Sequence, residues 1–237
     1  MALKIVAISD THNDHKRLVL PDGDMLIHAG DFTGMGTKKE VKNFVKWWRF
    51  QDYKYKILIP GNHDFRAQKR PEHTRATVYG GCTEPDENWH YLVDQSVVIE
   101  GIKFYGSPWQ PWFHDWAFNL QRGAEIREKW DLIPKDTDVL ITHGPAYGYG
   151  DRVAQTFLDM DRPMNDSSIL NQRKGCEELA KVIKLINPKY HIFGHIHEDY
   201  GMFNQYKEDE TTYINASSCG GPGMYRLIAN KPIVFEI

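Results

Sequence analysis

The segment Ile192-Phe193-Gly194-His195-Ile196-His197-Glu198 reads as the end of a buried strand that opens into a loop carrying two histidines. In extended backbone, residues two apart point the same way. His195 and His197 therefore share one side, while Ile196 turns back toward the core. Two readings suit the pair taken alone. One is a pair of hydrogen-bonded surface histidines. The other is a pair of metal ligands, since neutral imidazole is the commonest such side chain. The other strand ends decide between them.

Leu3 to Ile8 is an apolar strand broken only by Lys4, of the kind buried on both faces, and it runs into Ser9-Asp10-Thr11-His12. Met25 to Ile27 ends in His28-Ala29-Gly30-Asp31. Tyr55 to Ile59 ends in Pro60-Gly61-Asn62-His63-Asp64, and Asp138 to Thr142 in His143-Gly144-Pro145. A lone Asp after a strand is ordinarily a cap or turn residue, and a lone Asn before His a turn. Five such ends, all built of Asp, Asn or His, are hard to explain as punctuation. Ligand sites in α/β sheets favour the carboxyl ends of strands.

Between these strands, Thr37 with Glu40 forms a capping box ahead of Val41, Phe44, Val45 and Trp48 at helical spacing. A basic helical segment is expected over Phe65 to Arg75. Ser96 to Glu100 and Ile102 to Tyr105 flank Gly101 as a hairpin, and residues 144 to 170 read as one long loop. Lys174 to Asn187 is an amphipathic helix with Cys176, Leu179, Ala180, Ile183 and Ile186 on one face and Glu177 paired with Lys181; Pro188 ends it. Tyr190 to Phe193, Thr211 to Ala216, Met224 to Ile228 and Ile233 to Ile237 are further β segments. The alternation gives an α/β chain, α+β mixed, with mixed sheets. The expectation is a single domain over residues 1–237.

The 237 residues are 41% hydrophobic, enough for one large core. A net charge of −3 gives no electrostatic footprint for polymeric nucleic acid. No apolar run approaches the roughly 20 residues that span a bilayer, so no membrane partner is expected. Cys82, Cys176 and Cys219 form no zinc or redox motif; a cytoplasmic setting is the default.

Three carboxylate or amide positions with four or five imidazoles exceed one tetrahedral site. They suit two divalent metal ions sharing a bridging carboxylate. Nitrogen and oxygen donors without thiolate favour Mn, Fe, Zn, Ni or Co, with manganese the first expectation. Two metals about 3.5–4 Å apart are a standard device for phosphoryl displacement.

The order Asp10-x-His12, Gly30-Asp31, Gly61-Asn62-His63-Asp64, His143, Gly194-His195-x-His197 resembles the calcineurin-like metallophosphoesterase superfamily over residues 8 to 197. The wording of Ile8-Ser9-Asp10-Thr11-His12, His28 to Thr33, Asn215-Ala216-Ser217 and Pro232 to Phe235 is similar to the metallophosphoesterase-domain subgroup related to class III cyclic nucleotide phosphodiesterases. The resemblance implies a four-layer αββα sandwich. It implies Asp10, His12 and His197 on one metal, Asn62, His143 and His195 on the other, and Asp31 between them. A bridging hydroxide would attack phosphorus, and His63 would act near the leaving group. Many phosphatases of the superfamily carry a further Asp where this chain has Gly34, which leaves open what orients His63; Asp64 is adjacent, or pairs with Arg66 at the surface.

Trp109, Trp112, Phe113 and Trp116 read either as a hydrophobic lid or as a wall that stacks a nucleobase. His114, Arg152 and Arg162 read either as solvated loop residues or as phosphate contacts. Ser217 to Gly223 lacks the lysine and helix of a P-loop and reads as a turn. The resulting expectation is a phosphodiesterase of small esters, 2′,3′- or 3′,5′-cyclic nucleotides among them. A phosphomonoesterase or phosphoprotein phosphatase is the alternative, and a weakly active interaction scaffold the third reading.

Overall fold

In a computed structural model the chain is described over residues 2–81, 88–153, 172–203, 210–220 and 227–237. Two sheets face each other. The first has the order β11-β1-β2-β3-β4, built from β1 (Lys4–Ile8), β2 (Met25–Ala29), β3 (Tyr55–Ile59), β4 (Trp89–Tyr91) and the closing β11 (Ile233–Glu236). β1 to β4 run parallel, and β11 is antiparallel to β1. The second has the order β9-β10-β8-β7-β6-β5: β5 (Gln95–Ile99), β6 (Ile102–Ser107), β7 (Val139–Thr142), β8 (Tyr190–Phe193), β9 (Gly201–Phe203) and β10 (Thr212–Asn215). Its four inner strands are parallel and its two edge strands antiparallel.

The side-chain alternation of a strand sorts each sheet's residues into two layers of core. On β1, Ile5 and Ala7 point between the sheets, where they meet Ile27, Ile57, Val139, Ile141, Ile192 and Ile214. Val6 and Ile8 point outward to Phe44 and Trp48 of α1 (Lys38–Arg49) and Val78 of α3 (Pro71–Val78). On the far side, Tyr105, Leu140 and Phe193 pack on Ile126 and Trp130 of α4 (Ala124–Trp130) and Leu179 and Ile183 of α5 (Glu177–Ile186). The result is helix, sheet, sheet, helix: the expected αββα sandwich.

The capping box is present. Thr37 N–H donates to Glu40 Oε2 at 2.7 Å and Glu40 N–H to Thr37 Oγ1 at 3.3 Å. The expected helix over Phe65–Arg75 is two, α2 (Phe65–Lys69) and α3, because Pro71 has no N–H to continue the first and suits the first turn of the second. The hairpin turn is Glu100-Gly101, both at positive φ, since Ile99 pairs with Ile102. That two-residue primed turn matches strand twist. On α5 the acidic partner of Lys181 is Glu178, one turn away; Glu177 pairs with Arg122 instead. Only Leu227–Ile228 of the expected strand at 224–228 lies within the described residues. No helix among them is long and apolar enough to cross a membrane.

Candidate metal centre

The parallel strands β1, β2, β3, β7 and β8 all release their chains at one end of the sandwich. Backbone bonds join the first of these loops to the second and the fourth to the fifth. Asp10 N–H donates to Gly30 O at 2.9 Å, His12 N–H to Asp31 O at 3.0 Å, and Gly194 N–H to His143 O at 2.9 Å. Asp10, His12, Asp31 and His195 all take φ between 39° and 70°. L-residues other than Asn and Asp rarely adopt that region. Such strain gathers where side chains must be aimed.

Glycine allows the loops to close to this distance. A Cβ at Gly194 would lie 2.1 Å from Asp10 Oδ2 and 2.2 Å from Ser9 Oγ. One at Gly61 would lie 2.4 Å from Asp31 Oδ1. These two glycines are spacers between donor side chains.

The structure brings the seven candidate ligands to this one end. Donor atoms of Asp10, His12 and His197 lie within 4.8 Å of one another, as do those of His12, Asp31 and His63, and those of Asp10, Asp31 and His143. His197 Nε2 is 3.4 Å from Asp10 Oδ1 and 3.5 Å from His12 Nε2. His143 Nε2 is 2.8 Å from Asn62 Oδ1 and 3.3 Å from Asp31 Oδ2. His195 enters through its backbone, whose N–H donates to Asp10 Oδ2 at 2.9 Å; its ring centroid is 5.1 Å from that of His143.

The donor set fits a cation. His143 Nδ1 lies 2.9 Å from the carbonyl oxygen of Ala29, which can only accept, so Nδ1 carries the proton. Neutral Nε2 then turns its lone pair toward Asp31 Oδ2 and Asn62 Oδ1. With Asn62 in this orientation three electron-rich atoms converge, an arrangement that suits a proton or a cation among them. Asp10 Oδ1 is likewise buried without a hydrogen-bond partner.

The electrostatics agree. Burial alone would lower His143, but the Asp31 carboxylate outweighs it and raises the imidazole to about 9. Burial lowers His12 and His195 to about 3, so both are neutral. Burial would raise Asp10 and Asp31; His197 beside the first, and His143 and His63 beside the second, hold both carboxyls below their usual range.

Three features are not visible in residue type. The partner of His63 is backbone: Nδ1 donates to the Gly34 carbonyl oxygen at 2.7 Å. Gly34 therefore serves through its main chain. Asp64 neither orients His63 nor meets Arg66 at the surface. It is buried and accepts from Gly61 N–H (2.7 Å), Thr33 N–H (2.9 Å) and Thr33 Oγ1 (2.6 Å), clamping the second loop to the third. Trp116 sets its ring edge-on to His63 with centroids 4.1 Å apart.

Trp109 is half-buried, with its indole N–H on Asp94 Oδ2 at 2.8 Å, Lys129 over its face and Phe118 against its edge. It belongs to the packing under the loop. The guanidinium of Arg152 grips the Asp199 carboxylate, Nη2 to Oδ1 at 2.8 Å. His114 is exposed, between Phe113 and Trp116. Arg162 lies outside the described residues.

A family model described as calcineurin-like phosphoesterase matches residues 3–199. The human metallophosphoesterase domain-containing protein 1 is 39% identical, with the match covering 99% of this chain and 71% of that protein. A UPF0046 protein of Caenorhabditis elegans is 36% identical over 99% of this chain and 75% of its own length. Among solved structures, TT1561 of Thermus thermophilus aligns at a TM-score of 0.59 and 15% identity, over 91% of this chain and 89% of that one. A phosphopantetheinyl hydrolase from Mycobacterium tuberculosis aligns at 0.53 and 15%, over 90% and 88%.

Proposed function

Because the chain belongs to the calcineurin-like phosphoesterase family, whose members are metal-dependent hydrolases of phosphoesters with a dinuclear centre, we propose that it is a phosphodiesterase of small organic esters, cyclic nucleotides among them. In this reading Asp10, His12 and His197 hold one divalent cation, Asn62, His143 and His195 the other, and Asp31 stands between. When bound, such a pair supplies Lewis-acid polarisation of phosphoryl oxygens and a water of lowered pKa.

The chain's own residues then divide the work. The two carboxylates and the imidazoles, neutral once a cation is bound, would fix the donor set before substrate arrives. The backbone bond from His195 to Asp10 and the Asp64 clamp keep their loops from relaxing. His63, with its Nδ1 proton committed to the Gly34 carbonyl, is assigned to hold or move a proton at the leaving-group oxygen through Nε2.

The observation that carries the diester reading is the aromatic wall. Trp116 stands against His63, and the half-exposed Phe113 and exposed His114 extend it outward. Aromatic rings clustered beside the leaving-group residue suit an ester with an organic ring on that side, and base stacking on an aromatic side chain is worth about 1–3 kcal/mol. The test is turnover of bis-p-nitrophenyl phosphate, p-nitrophenyl phosphate and cyclic nucleotides by metal-loaded protein. Diester cleavage should be faster, and Trp116→Ala should raise KM for cyclic nucleotides about tenfold with metal content unchanged. Faster monoester cleavage would overturn the assignment.

A further inference from the structure

Away from the metal centre, α1 and α3 enclose a groove of about 850 Å³ on the outer helical layer of the first sheet. Its rim is basic: Lys38, Lys42, Lys46 and Arg49 come from α1 and Arg66 from α2. Its floor includes Val45 and Ala76, and Phe50, 82% exposed, stands at one end.

Folding does not account for this pattern. Residues 38–75 hold eleven Lys or Arg against four Asp or Glu, in a chain whose net charge is −3. Lys38, Lys42 and Lys46 repeat at the i, i+4 spacing at which like charges repel. Lys38 and Lys39 also occupy the first turn of α1, where the helix dipole disfavours cations. Among the described residues no carboxylate pairs with Lys38, Lys42, Lys46 or Arg66. Arg66 Nε is buried and has no hydrogen-bond partner there. A row of unneutralised cations beside apolar side chains matches one ligand chemistry best. A pure polyphosphate has nothing to place on Val45, Ala76 and Phe50, and a flat anionic membrane does not enter a groove.

We propose that this groove docks an acidic segment of a partner protein, in which Asp or Glu alternate with large apolar residues. The carboxylates meet the lysine row and Arg66, and the apolar side chains meet the floor and Phe50. Charge complementarity of this kind sets on-rate and partner choice.

The test uses the whole protein and a labelled short peptide of alternating Glu and Leu or Phe, read by fluorescence anisotropy. Saturable binding is expected, weakening steeply with salt. Lys42→Glu with Lys46→Glu should weaken it at least about tenfold, and Phe50→Ser by a smaller factor, with melting temperature and metal-loaded phosphoesterase turnover unchanged. If the double charge reversal unfolds the protein, Lys42→Gln alone carries the test, with a severalfold loss expected. Failure of the peptide to bind would overturn the proposal. So would equal or tighter binding of anionic vesicles, RNA or inositol hexakisphosphate that Phe50→Ser leaves unchanged.

Discussion

Replacing Gly194 by alanine isolates the part played by close packing among the metal-binding loops. The backbone at Gly194 is not in the left-handed region, so alanine incurs no conformational strain and acts through its Cβ alone. That atom would sit 2.1 Å from Asp10 Oδ2, 2.2 Å from Ser9 Oγ and 2.6 Å from Ser9 Cβ. An ordinary contact needs a displacement of roughly 1 Å or more. The Asp10 carboxylate cannot move that far and keep both its 2.9 Å bond from His195 N–H and its 3.4 Å approach to His197 Nε2. A hydrogen bond to a buried charge is worth about 1.5–3 kcal/mol, and overpacking adds about 1–3 kcal/mol. A net loss of about 2.5–6 kcal/mol corresponds to a melting point lower by roughly 5–24 °C for a chain of this length. Metal affinity should fall at least about 10–100-fold, the range seen when the supports of metal ligands are removed. Scanning fluorimetry with and without Mn²⁺, and isothermal titration, measure the two effects. Gly123→Ala is the control: its φ is 87° with open space around it, so it should cost about 1–3 kcal/mol in backbone strain and leave metal binding alone. If Gly194→Ala binds metal as the parent does, the spacing argument is wrong.

Two further outcomes follow from the same geometry. Glu40 Oε1 accepts from Asn13 Nδ2 at 2.8 Å and from Met35 N–H at 3.2 Å, so it steadies the loop whose Gly34 carbonyl holds His63. Glu40→Ala should lower kcat about tenfold while metal content stays at the parent level, since general acid–base contributions run to 10²–10⁴-fold; loss of metal instead would show a broader collapse. In metal-free protein, His143 is raised to about 9 from an unfolded value near 6.5, so its stabilisation is complete below that lower value and is lost as pH rises through 9. Burial and the Asp31 charge raise Asp64 to about 8 from 3.8, so its contribution, too, fades as pH rises through 8. The chelated protein should therefore lose stability between pH 7 and 9, and metal uptake near pH 7.5 should release protons; calorimetry in buffers of different ionisation enthalpy counts them. A melting point that rises over that range would contradict both assignments.

Much of this architecture is legible in residue order. Each candidate metal-binding segment follows a short apolar strand, and a strand's carboxyl end is where an α/β sheet presents ligands. Ile8 to His12, Ile59 to His63 and Phe193 to His197 therefore announce both the sheet and its chemistry. Thr37 and Glu40 mark the start of α1 because a capping box has a residue signature. The helix Ala124–Trp130 is silent by comparison, since only Ile126 and Trp130 of its seven residues are buried and no repeat emerges. The support of His63 is silent for a different reason. A backbone carbonyl leaves no mark on residue type, so the glycine at position 34 looks like a missing partner when its main chain supplies one. Asp64 misleads in the opposite way, because a carboxylate beside a candidate catalytic histidine invites pairing, yet its oxygens are taken by Gly61 and Thr33.

The central claim is that seven side chains from five strand ends hold two cations side by side. An anomalous difference map from crystals soaked in Mn²⁺ tests it most directly. The account predicts two peaks about 3.5–4 Å apart, one among Asp10, His12 and His197 and the other among Asn62, His143 and His195, with Asp31 between them. A single peak, or a second one outside these residues, would contradict it.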